Sequence, residues 1–267
     1  MKKGLTSSLI IATYNNSSAL ELSLLSVLRQ SVSPLEVLIA DDGSTEETKD
    51  MITEFQKKFS IPLLHIWHKD DGFRKTIILN EAIARATAQY IIQIDGDIII
   101  HKHFIKNHLS LAKPQTFIEG SRVWLNKRLS LLAQKNKIID FRWFTKGIKN
   151  RFNAMYIPFL TRFFTKPTQK IKAAVNTRGC NMSFWKKDFI LVNGYNEDMT
   201  GWGREDSEIC VRLVNAGIIK RNIKFSGIQF HQFHPINSRD GLNKNDKILQ
   251  RTIDSKEKTC KNGLTNH

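Results

Sequence analysis

Four short apolar runs, each followed by a polar cluster and then an amphipathic stretch, constrain this chain most. Residues 7–13, 36–40, 61–67 and 90–94 are compact and rich in Ile, Leu and Val, as strands buried on both faces are. Between them, Leu24, Leu25 and Leu28, then Met51, Ile52, Phe55 and Phe59, then Ile78, Leu79, Ala82, Ile83 and Ala86 recur at helical spacing. Pro34 closes the first of these helices. Ser18 with Glu21 and Ser44 with Glu47 fit capping boxes at two helix starts. Strand and helix alternating every 25–30 residues predict an α/β fold, a mostly parallel sheet with helices on both faces. In such sheets ligands bind beyond the carboxyl ends of the strands. Thr13-Tyr14-Asn15, Asp41-Asp42-Gly43-Ser44 and Asp95-Gly96-Asp97 all fall at strand ends.

Those clusters have a chemistry in common. Two carboxylates one residue apart, Asp95 and Asp97, can hold a hard divalent cation such as Mn²⁺ or Mg²⁺ beside a phosphate. Asp41 and Asp42 can accept from the N–H of a base such as uracil. Taken singly, each cluster equally describes a polar turn or helix cap. A third group lies further on, where Gly201-Trp202-Gly203-Arg204 precedes the adjacent acids Glu205 and Asp206. These open a helix with Ile209, Leu213 and Val214 on one face. Trp202 offers an aromatic plate to a sugar ring. Asp206 is a candidate general base for a hydroxyl, with N-capping as the alternative. His231 and His234 come after an apolar strand at 228–230, and His231 is the stronger candidate for a further metal ligand.

Together the runs Thr13-Tyr14-Asn15, Asp41-Asp42-Gly43-Ser44, Gly72-Phe73-Arg74-Lys75, Asp95-Gly96-Asp97 and Gly201-Trp202-Gly203-Arg204-Glu205-Asp206 resemble, in order, inverting glycosyltransferases of family 2 with the GT-A fold. The stretch from Arg178-Gly179-Cys180-Asn181 to Asp206 is similar to the C-terminal half of β-1,4-galactosyltransferases and of chondroitin-polymerase-type domains. The resemblance covers residues 7–120 and 176–235. It implies a UDP-sugar donor whose uracil is read by Asp42 with Tyr14 and Asp41, next to Thr13. It places Asp95 near the ribose and metal, Asp97 and His231 on the metal, and Arg74 and Lys75 towards the diphosphate or donor sugar. It makes Asp206 the catalytic base, with Trp202 and Glu205 binding the acceptor. Arg204 departs from the family pattern, which has a small or aromatic residue there. The implied reaction is metal-dependent transfer of a hexose or N-acetylhexosamine to a hydroxyl of a surface glycan, such as lipopolysaccharide or capsule, with inversion to a β-glycosidic bond. A nucleotidyltransferase acting on sugar phosphates, or a basic nucleic-acid- or membrane-binding protein without turnover, are the alternatives.

Charge adds a second expectation. The chain has a net charge of +16, yet residues 122–178 hold fourteen Lys/Arg against one acid, Asp140. That leaves an almost neutral globule with one basic segment. Within it Phe152, Met155, Tyr156, Phe159, Leu160, Phe163 and Phe164 form an amphipathic stripe beside Arg151, Arg162 and Lys166. Such a stripe either packs on the core or meets an anionic membrane surface. A nucleic-acid partner is not expected, because no recognised binding motif is present. The organisation expected is a glycosyltransferase domain over 1–239 with 122–178 as a helical insertion, then a polar tail over 240–267. Three scattered cysteines in no disulfide or zinc pattern, and no apolar run approaching about 18 residues, suggest a cytoplasmic protein, peripheral on the inner face of the plasma membrane.

Overall fold

The computed structural model describes residues 4–235 and 241–267. The first third keeps the alternating pattern: β1 (Ser7–Thr13), α1 (Ser17–Leu28), β2 (Glu36–Asp41), α2 (Glu46–Gln56), β3 (Leu63–Trp67), α3 (Lys75–Arg85) and β4 (Tyr90–Asp95). The middle is more broken: β5 (Ile98–Ile100), α4 (Phe104–Leu111), β6 (Thr116–Glu119), β7 (Arg122–Leu125), α5 (Lys127–Asn136), β8 (Ile148–Lys149), α6 (Pro158–Phe164), β9 (Pro167–Thr168) and α7 (Ile171–Ala174). The chain ends with β10 (Asn181–Trp185), α8 (Lys186–Leu191), α9 (Glu205–Asn215), β11 (Ile219–Asn222), β12 (Gln229–His231) and α10 (Leu242–Ser255).

The large sheet has the order β3-β2-β1-β4-β10-β6-β11-β9. Strands β1 to β4 are parallel, as their continuous apolar runs predict, and β10 enters antiparallel between β4 and β6. This reversal brings the start of β10, Asn181 opposite Ile94, to the carboxyl end of β4. A second sheet, β5-β12-β7-β8, sets His231 opposite Ile98 and Trp124. Both faces of the large sheet are covered. Leu9, Ile11, Val37 and Ile39 pack towards α1, α2 and α4, while Ile10, Leu38 and Ile91 pack towards α3 and α9.

Several expectations are corrected here. Helix α1 starts at Ser17 behind Asn16, and α2 starts behind Thr45, so neither Ser18 nor Ser44 caps. The Ser44 hydroxyl instead accepts from the Asn15 N–H at 2.8 Å and fastens two strand-end loops together. Segment 122–178 is not simply helical, because β7, β8 and β9 pair into both sheets. Its aromatic stripe is largely not packed: Phe152 is 83% exposed, and Phe159 and Phe163 are each 70% exposed. Tyr156 does reach the core.

The boundary expected near Asp240 lies outside the described residues, but residues 241–267 form no tail. Helix α10 lies along α9. It buries Asn245, Leu249 and Thr252, and Leu264 joins the main core. Polar sequence hides this, since the buried contacts are mostly hydrogen bonds. The Thr252 hydroxyl donates to Glu208, which is locked to fully buried Arg212 through Nε–H (2.8 Å) and Nη2–H (2.7 Å). Arg212 also donates to the Val192 carbonyl. Removing one partner of a buried pair strands the other charge. Glu208→Leu is expected to lower unfolding stability by about 3–5 kcal/mol, read from urea denaturation midpoints.

Candidate active site

The loops after β1, β2 and β3 form the first part of the site. Asp41 is fully buried. Its Oδ1 accepts from the Ser44 N–H at 2.9 Å and its Oδ2 meets His65 Nε2 at 2.8 Å, so its carboxylate fastens the loop. Asp42, in the same turn, is also buried. His68 Nε2 lies 2.7 Å from its Oδ1, and the Arg74 N–H donates to its Oδ2 at 2.9 Å. Tyr14 is half-exposed, and its hydroxyl donates to Asp70 at 2.9 Å. Gly43 has φ +95°, and a Cβ there would meet the Asp70 backbone at 2.5 Å, so the turn requires glycine. The Thr13 carbonyl accepts from the Asp42 N–H at 3.0 Å. The Arg74 side chain turns away, to the Lys69 carbonyl and Asp71.

Lys75, at the start of α3, goes the other way. Its ammonium lies 2.7 Å from Asp95 Oδ1 at the end of β4. Burial alone would push that ammonium down, but the charges of Asp95, Asp206 and Glu205 outweigh it and hold Lys75 well above the usual lysine range. Burial likewise works against the Asp95 carboxylate, and Lys75 more than compensates, keeping it below the usual range. Asp206 is different. Burial pushes it up and Asp95 adds to this, while Lys75 and the Gly179 N–H oppose. Its Oδ1 also accepts from the Tyr195 hydroxyl at 3.4 Å, which donates to Gln93 at 3.0 Å. A side chain at Gly179 would run into the Asp206 carboxylate. Burial, then the charge of Asp206, pushes Glu205 up to about 7.

Asp97, His231 and His234 form the third part, with one potential ligand atom from each within 4.8 Å of the others. Each histidine holds its Nδ1 against a backbone carbonyl, His231 to Gln232 at 2.8 Å and His234 to Pro235 at 2.6 Å. With Nδ1–H donating, both Nε2 lone pairs point towards Asp97, at 3.7 and 3.3 Å. Asp97 Oδ1 is buried without a hydrogen-bond partner. A carboxylate with Oδ2 towards two imidazole acceptors and Oδ1 without a partner suits a divalent cation that also takes phosphate oxygens.

The Gly-Trp-Gly loop is braced from two sides. The Gly201 N–H donates to the Phe73 carbonyl at 3.1 Å, and Trp202 is half-buried. Asn245 of α10 donates to the Gly201 and Gly203 carbonyls at 3.3 and 2.9 Å. Arg204, the departure from the pattern, takes φ +76° and pairs with Asp246 of α10 at 2.6 Å. All the acids singled out in the sequence thus gather at one end of the sheet. His65, His68 and Asp70 do not stand out in the sequence, and Gly179 does so only within the run from Arg178 to Asn181. His68 directly succeeds β3, so the strand-end rule that finds Asp41 extends to it.

A mixed sheet of this order, with acids beyond its parallel strands and a carboxylate-bearing helix brought in behind a reversed strand, defines a glycosyltransferase of the GT-A fold. Comparison with known proteins identifies its family. The family model described as "Glycosyl transferase family 2" matches residues 8–184, and the chain belongs to that family. A second model, "N-terminal domain of galactosyltransferase", matches residues 162–235. The chain is 23% identical to a chondroitin synthase of Escherichia coli over 92% of its length and 38% of the relative's. It is 26% identical to a validoxylamine A glucosyltransferase of Streptomyces hygroscopicus subsp. limoneus, over 79% of this chain and 48% of that one. It therefore spans half or less of these relatives. Among solved structures, GalNAc-T7 with UDP, GalNAc and Mn²⁺ aligns with a TM-score of 0.66 at 15% identity, over 94% of this chain and 48% of that one. S. aureus TarS 1–349 aligns at 0.64 and 14% identity, over 98% and 68%.

The raised Glu205 has a consequence for stability. Between the ordinary glutamate range and about 7, the folded chain keeps a proton on Glu205 that the unfolded chain has lost. Its contribution to stability therefore falls as pH rises through that window. Glu205→Gln removes this loss. The Tm gain of the variant over wild type is expected to be larger at pH 8 than at pH 5, roughly 2–4 °C for each kcal/mol relieved.

Proposed function

We propose that the protein transfers a hexose or N-acetylhexosamine from a UDP-sugar to a hydroxyl of a surface-glycan acceptor such as lipopolysaccharide or capsule, with inversion to a β-glycosidic bond. The observation that carries this reading is the placement of Lys75 between Asp95, beside the Asp97–His231–His234 cluster, and the acids Glu205 and Asp206. One side of that ammonium suits a nucleotide diphosphate and the other an attacking hydroxyl.

Asp42 and Tyr14 receive the uracil. Both Asp42 oxygens already accept one hydrogen bond, and each retains a lone pair for a base N–H. Asp97, His231 and His234 would hold Mn²⁺ or Mg²⁺, which supplies charge neutralisation to the leaving diphosphate. Lys75 contributes a fixed positive charge to the same end. Asp206 takes the proton from the acceptor hydroxyl as that oxygen attacks the anomeric carbon opposite the departing diphosphate oxygen. Its raised affinity for protons makes it a better base than an exposed aspartate. Trp202 and Glu205 border the acceptor.

The test is a panel of UDP-glucose, UDP-galactose, UDP-GlcNAc, UDP-GalNAc and GDP-mannose, with Mn²⁺ and with EDTA. UDP release from one uridine donor, abolished by EDTA, is the expected outcome. Asp206→Asn should keep UDP–Mn²⁺ binding and lose about 10²–10⁴-fold in turnover. Wild-type turnover in that variant, or donor use unaffected by EDTA, overturns the assignment.

The same reading brings the enzyme to an anionic membrane surface, peripherally on the inner face of the plasma membrane, where lipid-linked acceptors are found. No helix among the described residues is long and apolar enough to cross a membrane. Support comes from the exposed Phe152, Phe159 and Phe163, which lie in the basic segment next to Arg151, Arg162 and Lys166. Sedimentation with vesicles containing anionic lipid is expected at low salt, with weaker binding for Phe159→Ser/Phe163→Ser. Equal binding to neutral vesicles, or none to either, discards this part.

A further inference from the structure

A cleft of about 320 Å³ opens next to the catalytic groups, and none of the roles assigned so far uses it. Arg122, Trp124, Asn153, Arg178, Cys180 and Lys224 lie on its walls. Three of these six are cations, and among the described residues none of the three forms an ion pair with a carboxylate. Glu119, the acid on the wall, is taken by Lys220 at 2.6 Å. Lys224 finds only the Ser121 hydroxyl, at 3.3 Å. Arg122 lies over the Trp124 ring, its guanidinium carbon 3.9 Å from the centroid, and its Nε is buried without a partner. A half-buried guanidinium with no carboxylate bonded to it is costly, and a bound anion reduces that cost.

The position of the cleft says which part of the reaction it serves. Arg178 and Cys180 flank Gly179, whose N–H supports the base Asp206. Trp124 links the other wall to the metal-ligating cluster, its ring 4.6 Å from that of His231. The donor diphosphate has its counter-charges in Lys75 and in the cation that this cluster would hold. A sugar seated between Trp124 and Arg178 would lie against the support of the base, where an attacking hydroxyl has to be.

We propose that this cleft binds an acidic sugar of the acceptor, through a carboxylate or phosphate held by Arg122, Arg178 and Lys224, with the ring against Trp124. The inference rests on the transferase reading and narrows its acceptor to an anionic glycan. Guanidinium groups match planar carboxylate and phosphate oxygens two at a time, which a neutral sugar cannot use.

The test uses the protein saturated with UDP and Mn²⁺, so that the donor site is filled, and measures binding of three methyl β-glycosides by calorimetry. These are the glucuronide (carboxylate), the glucoside 6-phosphate, and the neutral glucoside. At least one anionic glycoside is expected to bind about tenfold or more tighter than the neutral one, as charge-assisted hydrogen bonds allow. The ranking of the two anions identifies the source of the charge. Arg178→Gln and Lys224→Gln, both at exposed positions, should abolish the preference and leave UDP affinity unchanged. Equal affinity for all three glycosides, no binding of either anion, or weakened UDP binding in the two variants would overturn the proposal. The last result would make the cleft part of the diphosphate site. UDP affinity without glycoside is read separately. A chain that prefers the anionic glycosides but binds no UDP keeps the cleft and loses the transferase reading.

Discussion

A single ammonium group carries the architecture of the site. Lys75 meets Asp95 from the first half of the chain and the acids Glu205 and Asp206 from the second. Without it, the buried Glu205 and the half-buried Asp95 and Asp206 would face one another in a medium that screens poorly. With it, Asp95 is held below its usual range and the other two stay above theirs. The same charge that makes the fold tolerable thus separates the acids into roles. Asp95 is a fixed anion beside the Asp97–His231–His234 cluster, and Asp206, the proposed base, is held with a raised affinity for protons. The apolar sheet beneath positions these groups, but Lys75 decides what they are chemically.

The parts of this that are legible in the sequence share a physical cause. Strands β1, β2 and β4 are buried on both faces, so their residues are apolar almost without interruption, and the acids beyond them stand out against that background. The second sheet has no such signature. Strands β5, β7 and β12 are three or four residues long, too short for any period to show, and the β5–β12 pairing joins residues more than a hundred positions apart. The C-terminal helix is hidden for another reason. Its inward face is built from Asn245, Leu249 and Thr252, of which two are polar, so its sequence looks solvated. Those side chains bond to loop carbonyls and to the Glu208–Arg212 pair, contacts that sequence spacing does not encode. Gly179 stands out in the sequence only as part of a run. Its importance arises from the approach of a residue 27 positions later.

Arg204 illustrates how a departure from a family pattern is accommodated. A long cationic side chain replaces a small or aromatic residue in the loop that carries Trp202. The backbone takes a left-handed conformation, and the guanidinium is directed outward to Asp246. The Arg204 side chain therefore ties the loop to α10. An exposed ion pair contributes little stability by itself. Its effect here is on orientation, together with the two hydrogen bonds from Asn245.

The reversed strand β10 also bears on how the molecule comes into being. Strands β1 to β3 pair with neighbours close in sequence, and β4 closes onto β1 from further along the chain, but all four lie within the first 95 residues and leave the ribosome first. Gly179 and Asp206, however, reach the site only when β10 inserts between β4 and β6 and α9 packs behind it. Contacts of such long sequence separation form late, since the chain must close a large loop before they return any energy. A partly synthesised chain therefore has Lys75 and Asp95 at the sheet edge but lacks Asp206. With Asp206 as the proposed base, transfer becomes possible only when the whole sheet is complete, so half-made molecules are unable to spend donor sugar.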